Sequence, residues 1–154
     1  MLASTALLLA LSQVATADVP GDFATRIQYG LCWNESVDTA RATFSRAIRE
    51  GVVRHAKLHL ASDHKRRLFE LVHSVDLFAY PPHYEPAAPM LVEPAPDYSI
   101  DVRMGGRRHV VQWVDYGSSN VEAVRLRTML RAVRELLVAL PSVQRLAASQ
   151  MICL

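Results

Sequence analysis

Two adjacent glycines in the second half of the chain constrain its fold more than any other feature. Gly105 and Gly106 separate two segments, 98–104 and 109–116, in which apolar and polar residues alternate. An alternation with a period of two places successive side chains on opposite faces of a strand. Because glycine readily adopts the positive φ angles of a two-residue turn, the glycine pair predicts a tight hairpin. The chain is therefore expected to contain an antiparallel sheet.

Further alternation predicts more strands in the first half of the chain. Residues 25–33 and 52–60 both alternate between apolar and polar side chains, and each predicts a strand with one buried face. The segment between them is ambiguous. Its apolar residues recur at helical spacing: Val37, Ala40, Phe44 and Ile48. The stretch from Thr39 to Ala47 can also be drawn as a strand.

Two segments have the pattern of amphipathic helices. Ser62 or Asp63 is a candidate N-cap for a helix that ends near Asp76. Ser119 and Glu122 have the spacing of a capping box, which predicts a second helix running to Pro141. The expected class is α+β, with the two helices packed on one face of the antiparallel sheet.

The first residues have the composition of a targeting segment. Residues 2–11 contain only apolar residues, Ser and Thr, and Ala15-Thr16-Ala17 then supplies a small-x-small cleavage pattern. The apolar run is too short for a membrane-spanning helix, which needs about 20 residues. Residues 1–17 are predicted to be a signal peptide and residues 18–154 a single domain that is secreted or periplasmic. A buried N-terminal helix is the alternative.

Charge and cysteine content exclude some classes of protein. The chain has 17 Lys and Arg residues against 15 Asp and Glu residues, a formal charge of +2. A dedicated nucleic-acid binder concentrates basic residues to neutralise phosphates, so no nucleic-acid partner is expected. Two cysteines are too few for a cysteine-only zinc site. In an oxidising compartment Cys32 and Cys153 can pair as a disulfide, the alternative being a buried Cys32 and a free Cys153.

No arrangement of residues predicts a catalytic or metal site. On a helix, metal-like spacing would be found for His55, His59, Asp63 and His64. On a strand, His55 and His59 would lie about 13 Å apart at about 3.3 Å per residue. Neither a metal nor a cofactor is predicted. A nucleophilic Cys32 would need a base within reach, such as His109 or His73, and nothing in the sequence brings them together.

The last predicted helix and the segment before it carry two weaker signals. Arg127, Arg131 and Arg134 form a basic stripe opposite its apolar face. The stripe is either a solvated surface or, together with Arg107 and Arg108, a contact for an acidic partner or an anionic membrane. Gly117-Ser118-Ser119 between a strand and a helix can bind an anion through free backbone N–H groups. Capping by Ser119 is the simpler interpretation.

A proline-rich loop is the best candidate for recognition. Residues 81–96 contain six of the eight prolines, which predicts an extended segment without sheet hydrogen bonds. Such a segment loses little conformational entropy when it docks. Its candidate partner-binding residues are His83, Tyr84, Met90 and Leu91. A connection that only lies on the surface is the alternative.

The order of segments resembles that of small uncharacterised bacterial extracytoplasmic domains, over roughly residues 23–140. The residues that carry the resemblance are Gly30-Leu31-Cys32, Val75-Asp76-Leu77-Phe78-Ala79-Tyr80-Pro81, Asp97-Tyr98-Ser99-Ile100-Asp101-Val102 and Gly106-Arg107-Arg108-His109-Val110-Val111. The chain is similar, more distantly, to emfourin-type protein inhibitors of thermolysin-like metalloproteases. It departs from them in lacking their Gly-rich N-terminal turn and in having a longer proline-rich loop. The resemblance implies strands rather than a helix for Thr39 to Ala47.

These features together predict an exported, non-enzymatic module that binds another protein, with inhibition of an exported protease as its most concrete form. No stable membrane anchor is expected after removal of the signal peptide. A structural or accessory envelope protein is the second hypothesis. A small hydrolase that uses Cys32 is the third.

Overall fold

A computed structural model describes residues 18–31, 34–88 and 93–150 of the chain. The predicted signal peptide, residues 1–17, lies outside the described residues. So do four residues singled out from the sequence: Cys32, Met90, Leu91 and Cys153. The proposed disulfide and two of the four loop contacts therefore remain predictions.

The described chain is a mixed α+β structure built on a seven-stranded sheet. The strands are β1 (Ala24–Tyr29), β2 (Glu35–Asp38), β3 (Thr43–Arg49), β4 (Val52–Lys57), β5 (His83–Tyr84), β6 (Asp97–Met104) and β7 (Arg107–Val114). Their order across the sheet is β4-β3-β2-β1-β6-β7-β5. All neighbours are antiparallel except β5 and β7, which are parallel.

The predicted hairpin is confirmed. β6 and β7 pair from Met104 opposite Arg107 to Asp97 opposite Val114, and the turn between them is formed by Gly105 and Gly106 at φ angles of +59° and +71°. The carboxylate of Asp22 accepts hydrogen bonds from both turn amides, at 2.9 and 2.7 Å. These two hydrogen bonds hold the pKa of Asp22 below its usual value. The N-terminal segment therefore fastens the turn that the sequence predicts.

The ambiguous segment in the first half is extended, so the helical interpretation is wrong. Glu35–Asp38 and Thr43–Arg49 form β2 and β3, and Thr39 to Ala42 make the turn between them. Ala42 adopts a φ of +51° in that turn. The predicted strand from Thr39 to Ala47 is therefore only partly right, because its first residues reverse the chain.

Three α-helices are described: α1 (Ser62–His73), α2 (Val121–Val138) and α3 (Pro141–Gln144). Neither Ser62 nor Asp63 caps α1: its N-cap is Ala61, which makes no side-chain capping hydrogen bond, and the carboxylate of Asp63 instead accepts from Arg66 at 2.6 Å. The predicted capping box of α2 is also wrong, because Asn120 is the N-cap. Within the described ranges no helix is both long and apolar enough to span a bilayer.

Replacing Asn120 by Ala is expected to destabilise the protein by about 1 kcal/mol, the usual effect of losing an N-cap side chain. The Asn120 side-chain oxygen accepts from the Glu122 backbone N–H at 2.9 Å, and Ala has no acceptor for it. Urea unfolding monitored by circular dichroism measures the effect. The matched control is Ser119→Ala one residue earlier, which is expected to stay within about 0.5 kcal/mol. If both variants lost the same free energy of unfolding, the capping role of Asn120 would be contradicted.

One hydrophobic core collects alternate residues of the strands and the apolar sides of the helices. Leu68, Phe69 and Val72 of α1 belong to it together with six buried residues of α2: Ala123, Leu126, Met129, Leu130, Val133 and Leu137. The strand residues in this core include Ile27, Val37 and Phe44, and all three are fully buried. Burial of this apolar surface is the main term that stabilises the fold.

Candidate binding site at the proline-rich loop

The proline-rich loop begins as part of the sheet. His83 and Tyr84 form β5 and pair with Gln112 and Trp113, and the Gln112 backbone N–H donates to the carbonyl of Pro82 at 2.7 Å. The prediction that residues 81–96 lack sheet hydrogen bonds is therefore wrong for residues 82–84, where the loop begins. A two-residue edge strand is what a proline-flanked segment can supply, since proline has no N–H to donate.

The described parts of the loop are held by the chain that follows β7. The Asp115 backbone N–H donates to the carbonyl of Pro96 at 2.9 Å, and the Tyr116 hydroxyl donates to Glu93 Oε1 at 3.1 Å. The Ser118 hydroxyl donates to the carbonyl of Ala87. These bonds fix both described ends of the loop, so its approach to a partner is largely preorganised.

Tyr84 has an internal role that the sequence does not reveal. Its ring packs edge-on against Tyr80 at 5.0 Å between centroids and lies 6.1 Å from Trp113. Its hydroxyl donates to Asn120 Oδ1 at 3.3 Å. Tyr84 thus attaches β5 to the start of α2, whereas His83 beside it is exposed.

A pocket of about 460 Å³ opens between the loop and the ends of β6 and β7. We call it the loop pocket, and its residues are His83, Tyr84, Glu85, Pro86, Ala88, Asp97, Tyr98, Gln112, Trp113, Val114 and Tyr116. Tyr98 stacks on Trp113 at 5.1 Å, which makes a rigid aromatic wall. Aromatic walls with a few polar groups are typical of recognition pockets of this size.

Trp113 also supplies an unused hydrogen-bond donor. Its indole Nε1 is buried and has no partner among the described residues. An indole N–H can only donate, and leaving a buried donor unpaired costs about 1–3 kcal/mol. A ligand acceptor that reached this atom, such as a backbone carbonyl, would remove this penalty.

Acidic side chains surround the loop pocket. Glu85 and Asp97 line it, and Glu93 accepts from Tyr116 beside it. None of the three forms an ion pair within the described ranges. Burial, and then the neighbouring charge of Glu93, raise the pKa of Asp97 above its usual value. A cationic partner would relieve this repulsion.

A second concave region lies between β1, β2 and α2. We call it the arginine cleft; its walls include Tyr29, Glu35, Asp115, Arg127, Arg131 and Arg134. The predicted basic stripe is therefore not simply a solvated face of α2. Arg127 Nε donates to Asp115 at 2.6 Å, and Arg134 Nε donates to Glu35 at 2.9 Å.

The other candidates from the sequence do not assemble into a site. The Gly117 N–H donates to Asp115 Oδ1 at 2.9 Å, so it is not free for an anion. In the described part of the chain, no group of three His, Cys, Asp or Glu side chains is placed to hold a metal. His55 lies 2.8 Å from the Ser45 hydroxyl, and His109 Nε2 donates to the carbonyl of Tyr80 at 2.8 Å. Cys32, the nucleophile of the hydrolase hypothesis, lies outside the described residues.

The chain matches no protein-family model and no curated protein. The resemblance to emfourin-type inhibitors therefore remains a sequence-based prediction.

Proposed function

We propose that this chain is an exported, non-enzymatic module that binds an extended, basic segment of another protein in the loop pocket. The observation that carries the proposal is the aromatic wall of Tyr98 and Trp113, whose indole N–H is unpaired, beside a loop fixed at both described ends. We take α1 and α2 to pack on one face of the sheet, which is supported by the core that both share.

The nature of the partner segment follows from the pocket walls. Extended proline-containing segments dock into aromatic-lined grooves because they are already stretched and expose their carbonyls. A carbonyl of such a segment would accept from Trp113 Nε1. Lys or Arg side chains beside it would pair with Glu85 and Asp97, which have no cation of their own in the described chain.

Binding is tested with a single-tryptophan reporter. The chain has two tryptophans, so Trp33→Phe leaves Trp113 as the sole indole emitter. An acetylated and amidated peptide of repeating Pro-Pro-Arg is expected to change the Trp113 fluorescence on titration. A Pro-Pro-Glu peptide of equal length is expected to bind at least about tenfold more weakly, which corresponds to about 1.4 kcal/mol of unfavourable charge.

Charge reversal on the pocket wall provides the matched comparison. Glu85→Arg is expected to weaken binding of the Pro-Pro-Arg peptide by about fivefold to tenfold. Glu50→Arg reverses an exposed charge in the β3–β4 turn, outside the loop pocket, and is expected to leave binding unchanged. The proposal fails if neither peptide alters Trp113 fluorescence, or if both reversals weaken binding equally.

Protease inhibition is the narrower form of this proposal, in which the loop enters a protease cleft. It rests on the resemblance to metalloprotease inhibitors and on the two fastened ends of the loop. Thermolysin incubated with the intact chain is expected to lose activity in a dose-dependent way. If thermolysin keeps its full activity in an excess of the chain, protease inhibition is excluded. Peptide binding in the loop pocket is then judged by the fluorescence titration alone.

A further inference from the structure

The arginine cleft contains more positive charge than its carboxylates neutralise. Glu35 accepts from Arg46 at 2.6 Å and from Arg134 at 2.9 Å, while Asp115 is paired with Arg127. Arg131 lines the same cleft and makes no hydrogen bond or ion pair to any described residue. Arg46 pairs with Glu35 but does not line the cleft. Counted with the three arginines that do, four guanidinium groups meet two carboxylates, so the network carries an excess of two positive charges.

One wall residue of the cleft, Tyr29, has a buried hydroxyl without a partner among the described residues. Tyr29 as a whole is 4% exposed. Burial, followed by the charge of Glu35, raises the pKa of Tyr29, which keeps the hydroxyl neutral and able to donate. An unpaired buried donor and an unpaired guanidinium in the walls of one cleft are groups that an oxyanion would satisfy.

The cleft also has room and apolar surface for more than a bare ion. Its volume is about 490 Å³, and Leu130, Pro96 and the Tyr98 ring contribute to its walls. Guanidinium groups match phosphate oxygens in geometry, and a dianion would balance the two excess charges. A carboxylate would balance only one of them.

We propose that the arginine cleft is a binding site for a phosphate monoester whose organic group is apolar, held by Arg131 and the Tyr29 hydroxyl. The already paired Arg127 and Arg134 form the charged walls, and Leu130 and Tyr98 contact the organic group. Of the residues that line the two regions only Tyr98 is shared, and the inference does not depend on the proposed function.

The inference is tested by calorimetric titration of the intact chain with phenyl phosphate. The titration is done above about pH 7, where the monoester is a dianion because its second pKa is about 6. Phenyl phosphate is expected to bind at least about tenfold more tightly than benzoate, a monoanion of similar shape. Arg131→Gln is expected to weaken binding about tenfold, the size expected for a lost hydrogen bond to a charged group. Tyr29→Phe removes an unpaired hydroxyl, so it is expected to fold and to bind several-fold more weakly.

Arg125→Gln is the matched control, because Arg125 is an exposed arginine of α2 that does not line the cleft. It is expected to bind phenyl phosphate as the wild type does. The inference is overturned if phenyl phosphate does not bind at about 10 mM, or if Arg131→Gln and Arg125→Gln lose equal affinity. Equal affinity for inorganic phosphate would overturn the assignment to an ester, and equal affinity for benzoate would overturn the assignment to a dianion.

Discussion

Replacing Glu35 by Gln is expected to destabilise the protein by about 3–5 kcal/mol, the range found when one partner of a buried ion pair is removed. Glu35 is 4% exposed and joins β2 to β3 through Arg46 and to α2 through Arg134. The amide of Gln is neutral, so the Arg46 side chain, 11% exposed, would keep its charge without a counterion. Arg134 is half exposed and can turn to water.

Urea unfolding of the Gln variant, followed by circular dichroism, measures the loss. Asp101→Asn is a suitable control, because Asp101 is also a strand carboxylate paired with an arginine, but its partner Arg108 is 60% exposed. Exposed ion pairs contribute about 0.2–1 kcal/mol, so this control is expected to lose about 1 kcal/mol at most. A Glu35→Gln loss no larger than that of the control would show that the buried network does not stabilise the fold.

Replacing Phe44 by Ala is expected to lower the free energy of unfolding by about 3–5 kcal/mol, the usual effect of truncating a buried phenylalanine. Phe44 is fully buried in β3, between Val37 of β2 and Ala56 of β4. Truncation removes the ring and leaves a cavity in the middle of three strands, where the backbone hydrogen bonds prevent the sheet from collapsing into the space.

The comparison variant is Val53→Ala on the neighbouring strand β4. Val53 is 49% exposed, and its truncation is expected to change the free energy of unfolding by about 0.5 kcal/mol or less. Both variants are compared with wild type by urea denaturation at one pH. If Phe44→Ala lost as little stability as Val53→Ala, the placement of Phe44 in the core between β2 and β4 would be wrong.

Local sequence patterns predicted the structure correctly where only one structure could bury the apolar residues of the pattern. Two alternating segments around Gly105-Gly106 can bury one apolar face only as a hairpin, and that hairpin is observed. The amphipathic pattern before Pro141 likewise predicted α2, although the capping residue was placed one position too early. Ser119 and Asn120 are both good caps, and only the path of the chain into the helix selects Asn120.

The segment containing Phe44 shows where such patterns fail. Val37, Phe44 and Ile48 fit a helix by spacing, yet the strands on either side leave hydrogen-bonding edges that β2 and β3 fill. Pairing with β1 and β4 therefore outweighs the local spacing. The resemblance predicted strands here, but it could not show that residues 39–42 form the turn.

The two binding regions differ in how much of each was predictable. The proline-rich loop stood out by composition, but the use of Tyr84 to join β5 to α2 depends on residues more than 30 positions away along the chain. The basic stripe on α2 was also visible. An acidic residue at position 35, on the same face of its strand as buried Val37, was the signal for a charge network.

The sequence by itself determined the class of fold, the hairpin and the long last helix, because each depends on periodicity or on the positive φ angles that glycine adopts. Only the tertiary structure decided which charged groups meet. Glu35 and Arg134 are 99 residues apart in sequence and 2.9 Å apart in space, and no local pattern reports such a contact. The arginine cleft exists because sheet pairing and helix packing bring distant ends of the chain together, and that is a property of the whole fold.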